Sequence, residues 1–404
     1  MEASEFFLKL LLLFLCAKVF AEVFAYLKLP SVIGEVIAGI LIGPSLLGII
    51  APEETFYLLA EIGILLLLFE VGLETDVRQV LKVGGQAISV ALTGILAPAL
   101  LGFWVSHYVF GIELIPALFI SGCLVATSIG ITVRVIGDLG KQNTRTARVV
   151  IGAAVIDDIV GVVLLALLYD LVVKGQISVM DTSKIVLFII VFLLVAPVLA
   201  KLLVPVIAKF SKISRTKGLI PTVIISMILG LAIISHEIGA PEMLGSFAAG
   251  IALARRFFLP LGAEIEHYSK TVAKDVEESM KPIIDLFVPI FFVMVGVSIN
   301  FKEIDFASTA FWSFAGALTL LAIIGKLVSG IWVKGTWSEK FSTGLAMVPR
   351  GEVGLIFAEV GKRGGVFDEN TYAVIVFMVA LTTLLAPLAL RFSMRGIKTE
   401  EAPA

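Results

Sequence analysis

Thirteen windows of about 20 predominantly apolar residues run along the chain, each bounded by charges or turn residues. They fall near 5–27, 31–49, 57–73, 86–108, 115–137, 147–172, 184–207, 218–236, 241–257, 281–299, 308–334, 340–362 and 370–393. Inside a bilayer every backbone polar group must find a partner within the protein, so each window is predicted to be a helix. Two windows break the pattern. In LVATSIGITVRV the run is interrupted by Thr127, Ser128 and Gly130, whose hydroxyls can bond freed backbone groups. In LAMVPRGEVGLI, Pro349 removes a ladder N–H, and Gly351 and Gly354 loosen the helix further. An ordinary proline kink with small-residue packing is the plainer alternative for either window alone.

Those two windows also occupy matching places in an internal repeat. IGEVIAGILIGPSLLG (33–48) matches LGSFAAGIALARR (244–256), with Ala38-Gly39-Ile40 on Ala249-Gly250-Ile251. LLLLFEVGLETDVRQV (65–80) matches PIFFVMVGVSINFKEI (289–304), and the interrupted windows at 121–141 and 342–362 match each other. The expected organisation is one transporter domain, 1–404: a first repeat over 1–183, a linking helix over 184–217 and a second repeat over 218–394. Residues 395–404 then form a short tail. With six helices per unit and one linker, the copies enter the membrane from opposite sides. Inverted repeats with interrupted helices mark alternating-access carriers and a binding site at mid-membrane.

Composition agrees with this reading. The 404 residues are 59% hydrophobic and only 16% charged, whereas soluble domains carry about 25% charged residues. Basic residues gather in alternate loops: Lys28; Arg78 and Lys82; Lys141, Arg145 and Arg148; Lys209, Lys212, Arg215 and Lys217; then Arg255 and Arg256. By the positive-inside rule these loops are cytoplasmic, so the N-terminus is expected outside and the C-terminus in the cytoplasm. The N-terminal MEASE lacks a basic segment, so the first window reads as a retained span rather than a cleaved signal. Cys16 and Cys123 lie in apolar runs and the three histidines are scattered, so neither a disulfide framework nor a metal cage is expected. No cofactor motif, nucleophile–base set or nucleic-acid-binding pattern is visible, which excludes the enzyme classes.

The chemistry sits in a few charges that the bilayer should repel. Asp157 and Asp158 lie in the middle of ARVVIGAAVIDDIVGVVLLALLYDLVV. An acid at that depth costs about 3 kcal/mol or more and is a functional hypothesis by default. Acids kept only to hold helices together are the bland alternative. Lys326, in LLAIIGKLVSGIWV, needs an acid partner, and either aspartate suits it. Consecutive helical residues project about 100° apart, so one aspartate can hold the lysine while the other faces a cavity. That second carboxylate would bind a proton or a small cation, never both. Arg350 and Glu352 lie in the proline-broken window and Glu70 in the third; Arg350–Glu70 or Arg350–Glu352 pairing is expected, as electrostatics around the break. Glu35 either caps a helix entrance or guides ions. The charged stretch 260–281, with His267, reads as an amphipathic surface helix.

Together these residues resemble the monovalent cation:proton antiporter superfamily, in its second branch. The elements that carry the resemblance are VIDDIVG around Asp157-Asp158, Ala126-Thr127-Ser128, Lys326, GILIGPSLLG at 39–48 and PRGEVGLI at 349–356. The resemblance implies an all-α membrane protein of about 13 transmembrane helices: two inverted six-helix repeats, crossed discontinuous helices, and separate core and dimerisation domains. It implies Asp158 as the ion-carrying carboxylate (the Na+ ligand) and Asp157 as the partner of Lys326. Thr127 and Ser128 would supply oxygens to the ion. It implies sodium (or lithium) export against protons, electrogenic because the pair is Asp-Asp, with a role in pH homeostasis. The protein would be an inner-membrane homodimer, with the bilayer, the cation and protons as its only partners and no cofactor. Potassium/proton exchange is the alternative, and a cation channel a third reading.

Overall fold

The computed structural model describes residues 3–74, 82–174, 179–202, 218–254, 263–303 and 307–397. Every regular element among them is helical. The first half holds α1 (Ala3–Tyr26), α2 (Ser31–Ile42), α3 (Glu54–Glu74), α4 (Gly84–Trp104), α5 (Leu114–Val125), α6 (Ile129–Asp138) and α7 (Arg145–Lys174). The second holds α8 (Val179–Leu202), α9 (Leu219–Glu237), α10 (Glu242–Leu253), α11 (Ala263–Val297), α12 (Thr309–Ser329), α13 (Trp337–Ala346), α14 (Glu352–Arg363) and α15 (Glu369–Ser393). Among the described residues, seven stretches are long and apolar enough to cross a membrane, and three shorter apolar helices accompany them.

The helix ends follow local chemistry. α2 stops at Ile42, short of the expected 49, because Pro44 cannot donate to the ladder. The chain folds back there, with the Ile49 and Ile50 amides donating to the Ile42 carbonyl, both at 2.9 Å. α13 opens on a capping box: Thr336 Oγ accepts from the Glu339 amide at 3.3 Å, and the Glu339 carboxylate accepts from the Thr336 amide at 2.7 Å. The stretch 260–281 is not a separate surface helix; residues from Ala263 onward are continuous with the following span as α11. The side chain of His267 lies outside the described residues, as do the loop residues Arg78, Lys209, Lys212, Arg215, Lys217, Arg255 and Arg256.

Two compact units result: Met1–Tyr57, Val83–Ser178 and Phe292–Ala404 form one; Leu58–Lys82 and Val179–Phe291 form the other. The core of the first is built by α5, α12, α14 and α15, through Phe119, Leu124, Phe311, Leu318, Phe357, Val374 and Met378. In the second, Phe192 and Ala196 of α8 pack with Ala248 of α10.

Each unit contains a very close helix crossing made by a pair of glycines. In the first, a Cβ on Gly296 of α11 would stand 2.9 Å from the Gly39 Cα of α2. In the second, a Cβ on Gly250 of α10 would stand 2.9 Å from the Gly72 Cα of α3. Small residues at such crossings let backbones touch, which drives helix association where no hydrophobic effect operates. Gly296→Val should therefore destabilise the protein by about 1–3 kcal/mol through overpacking, read as a lowered unfolding midpoint in detergent. An unchanged midpoint would mean the helices are not this close.

Candidate functional site

Both interrupted windows are broken where the sequence suggested. α5 ends at Val125 and α6 starts at Ile129 after an N-cap at Ser128, whose hydroxyl accepts from the Ile131 amide at 3.5 Å. α13 ends at Ala346 and α14 starts at Glu352, with Pro349 between them and Gly351 as its N-cap. Four half-helix ends are thereby left inside the first unit, and their loose backbone groups need partners.

The two breaks supply those partners to each other. The Ser128 amide donates to the Pro349 carbonyl at 2.9 Å. Thr127 Oγ donates to the Met347 carbonyl at 3.2 Å, and Thr132 Oγ to the Ala346 carbonyl at 2.6 Å. The Arg350 guanidinium donates to the Val125 carbonyl at 2.9 Å and also to that of Ala126. A cation on the C-terminal carbonyls of α5 meets the negative end of that helix. Thr383 of α15 donates to the Arg350 carbonyl. Gly351 lies so close to Ser128 that a Cβ there would stand 2.7 Å from Oγ, so no larger residue fits without displacement.

The backbone partners of Arg350 correct the expectation of a carboxylate partner from Glu70. The ion pair of Glu70 is with Lys281 of α11, at 2.7 Å in the second unit. The guanidinium of Arg350 is instead buried among peptide carbonyls. Glu352 opens α14, and its side chain lies outside the described residues.

Asp157 and Lys326 form the other half of the site. Lys326 Nζ of α12 lies 3.2 Å from Asp157 Oδ1 and 3.0 Å from Oδ2 of α7, with both side chains 0% exposed. Of the two aspartates left open by the residue pattern, the structure pairs Asp157 with the lysine. Asp158, one residue on and about 100° around the helix, is buried at 7% exposure. Gly94 of α4 lies beside the lysine: a Cβ there would stand in ordinary contact with Lys326, 3.4 Å from Cδ and 3.5 Å from Nζ.

The groups that sequence reasoning missed are mostly ordinary residues. Thr132 and Thr383 carry no motif, and only their position beside a broken helix gives them a task. Glu35 does not cap the start of α2; Asp138 of α6 does, accepting from the Ser31 amide at 3.0 Å and Oγ at 2.7 Å. Breaking one member of a buried ion pair strands the other, at about 3–5 kcal/mol. Lys326→Met should lower stability by that order, and adding Asp157→Asn should restore part of it in a double-mutant cycle. Additive losses would mean the two groups do not interact.

Comparison with known proteins agrees with the geometry. The family described as sodium/hydrogen exchanger, transmembrane, matches residues 10–396. The high-affinity Na(+)/H(+) antiporter NhaS3 of Synechocystis is 34% identical, over 98% of this chain and 91% of that protein. The Na(+)/H(+)-K(+) antiporter GerN of Bacillus cereus is 33% identical, over 96% of each. The structure of the sodium proton antiporter MjNhaP1 of Methanocaldococcus jannaschii superposes with a TM-score of 0.68, covering 96% of both chains at 16% identity. At that identity it shares the fold.

Proposed function

The chain belongs to the sodium/hydrogen exchanger family, and from that premise we propose that it exchanges sodium (or lithium) for protons by alternating access. The observation that carries the site is the division of labour in the aspartate pair: Asp157 is held by Lys326, and Asp158 stands beside it on the next position of α7. In this reading Asp158 binds the cation or a proton in turn. Thr127 and Ser128 add oxygens: a hydroxyl that donates its hydrogen, as Thr127 does to Met347, still has lone pairs to offer. Arg350 compensates the loose carbonyls of the break, Lys326 couples charge to transport, and the cycle is electrogenic. No step requires a cofactor.

The proposed topology is thirteen crossings in two inverted repeats, over 1–183 and 218–394, joined by the 184–217 helix. Support comes from the helix count: the fifteen described α-helices make thirteen when each interrupted pair counts once. It comes also from the repeated small features, since α2 and α10 both span 12 residues after a proline and both touch a neighbour through the Gly of Ala-Gly-Ile. Sidedness has support within the first unit. Lys9 near the N-terminus pairs with Glu53 at 2.7 Å, whereas Lys141 Nζ bonds the Ile397 carbonyl near the C-terminus at 2.6 Å. An N-terminus outside and a cytoplasmic C-terminus in an inner-membrane homodimer complete the proposal.

Potassium/proton exchange is kept as a second reading, because the Bacillus cereus relative is named for potassium as well as sodium. Proton efflux from proteoliposomes, with sodium, lithium, potassium and rubidium compared under clamped voltage, separates the two. Asp158→Asn should abolish cation-driven proton release, by at least tenfold, in protein that still folds; exchange that survives this change sinks the assignment. Lys326→Gln should alter the charge moved per cation more than the apparent cation affinity.

A further inference from the structure

A buried acid lies outside the aspartate site, on a different pair of helices. Glu35, in the second turn of α2, is 1% exposed. Its Oε1 stands 3.7 Å from Arg134 Nη2 of α6, close enough for ionic attraction and too far for a hydrogen bond. Its Oε2 is buried with no hydrogen-bond partner among the described residues. A carboxylate so placed is poorly compensated, and a proton is the smallest ligand that resolves the deficit.

Arg134 is shared. Its Nε stands 3.5 Å from Asp138 Oδ1, one turn further along α6. The other oxygen of Asp138 accepts the Ser31 amide and hydroxyl, and so fastens the start of α2 to the end of α6. The charged groups acting on Glu35 are Arg134 and Asp138 of α6 and Lys18 of α1, itself paired with Glu22 at 3.3 Å. The stretch of α11 against α2, Val293 to Gly296, is apolar. α6 is N-capped by Ser128, in the first break, so its far end is tied to α2 and its near end to the proposed ion site.

We propose that Glu35 is a second proton-binding carboxyl, and that its protonation works the Glu35–Arg134–Asp138–Ser31 latch between α2 and α6. When Glu35 is ionised, Arg134 is divided between two acids and bridges both helices. When it takes a proton, the pull of Glu35 on Arg134 is lost, and the tie between α2 and α6 rests on the Asp138–Ser31 hydrogen bonds. Glu35 is a positioning residue: it tunes α6 with pH and does not carry the transported ion. The proposal rests on the exchange reading only for its transport arm.

Two measurements test it. Infrared difference spectra of the Asp158→Asn protein, titrated with acid, should show a protonated-carboxyl stretch that disappears in the Asp158→Asn/Glu35→Gln protein. In proteoliposomes, Glu35→Gln should displace the pH of half-maximal exchange by half a unit or more, with apparent sodium affinity at the optimum changed less than twofold. Glu35→Asp, which keeps a titratable group, should restore part of the pH response and serves where Glu35→Gln does not fold. An unaltered carboxyl band, or a pH profile unmoved in a folded Glu35→Gln protein, overturns the proposal. The infrared arm needs no transport, so a lost band in a protein that exchanges nothing condemns the antiport reading and leaves the proton site standing.

Discussion

The structure depends on one constraint: no charge and no backbone group can be left alone inside a bilayer. Interrupting two helices there exposes carbonyls and amides that an unbroken helix would satisfy. Each break meets this need with the other break. Pro349 and Met347 receive hydrogens from Ser128 and Thr127, while Arg350 reaches back to the end of α5. The same logic places Lys326 on Asp157, because a buried ammonium ion and a buried carboxylate are tolerable only as a pair.

Much of this is legible in the residues. Apolar windows mark the helices, since hydropathy over about 20 residues is a strong signal in a membrane chain. The breaks at Thr127-Ser128 and Pro349 are legible because helix-breaking residues are costly in an apolar run. The lysine–aspartate pair is legible as a need, though the choice of Asp157 over Asp158 comes from the structure. Local pattern does not supply the partner of Arg350. Arg350 Nη1 donates to the carbonyls of Val125 and Ala126, and a backbone carbonyl carries no sequence signature. The pairing of Glu70 with Lys281 is invisible for a related reason: a long-range ion pair depends on which helices meet. The length of α11 is not legible either, because a charged amphipathic stretch and a membrane span can share one continuous helix.

The close glycine crossings extend the same economy to packing. Lipid tails are as apolar as leucine, so helices in a bilayer gain by touching closely and not by hiding from water. Gly39 against Gly296, and Gly72 against Gly250, bring backbones into contact in the two units.

Adjacent acids would repel if both were ionised and alone. Lys326 eases that conflict by pairing with Asp157, and in the proposed cycle Asp158 is the carboxyl whose charge is met by the exchanged ions. A carboxyl whose charge must always be met by something favours exchange over leakage: in that cycle an empty, ionised Asp158 is the costly state. A sodium ion or a proton relieves it, and each must displace the other. In the proposed cycle, competition for one carboxyl also makes exchange depend on pH, because acid fills the site that the cation requires.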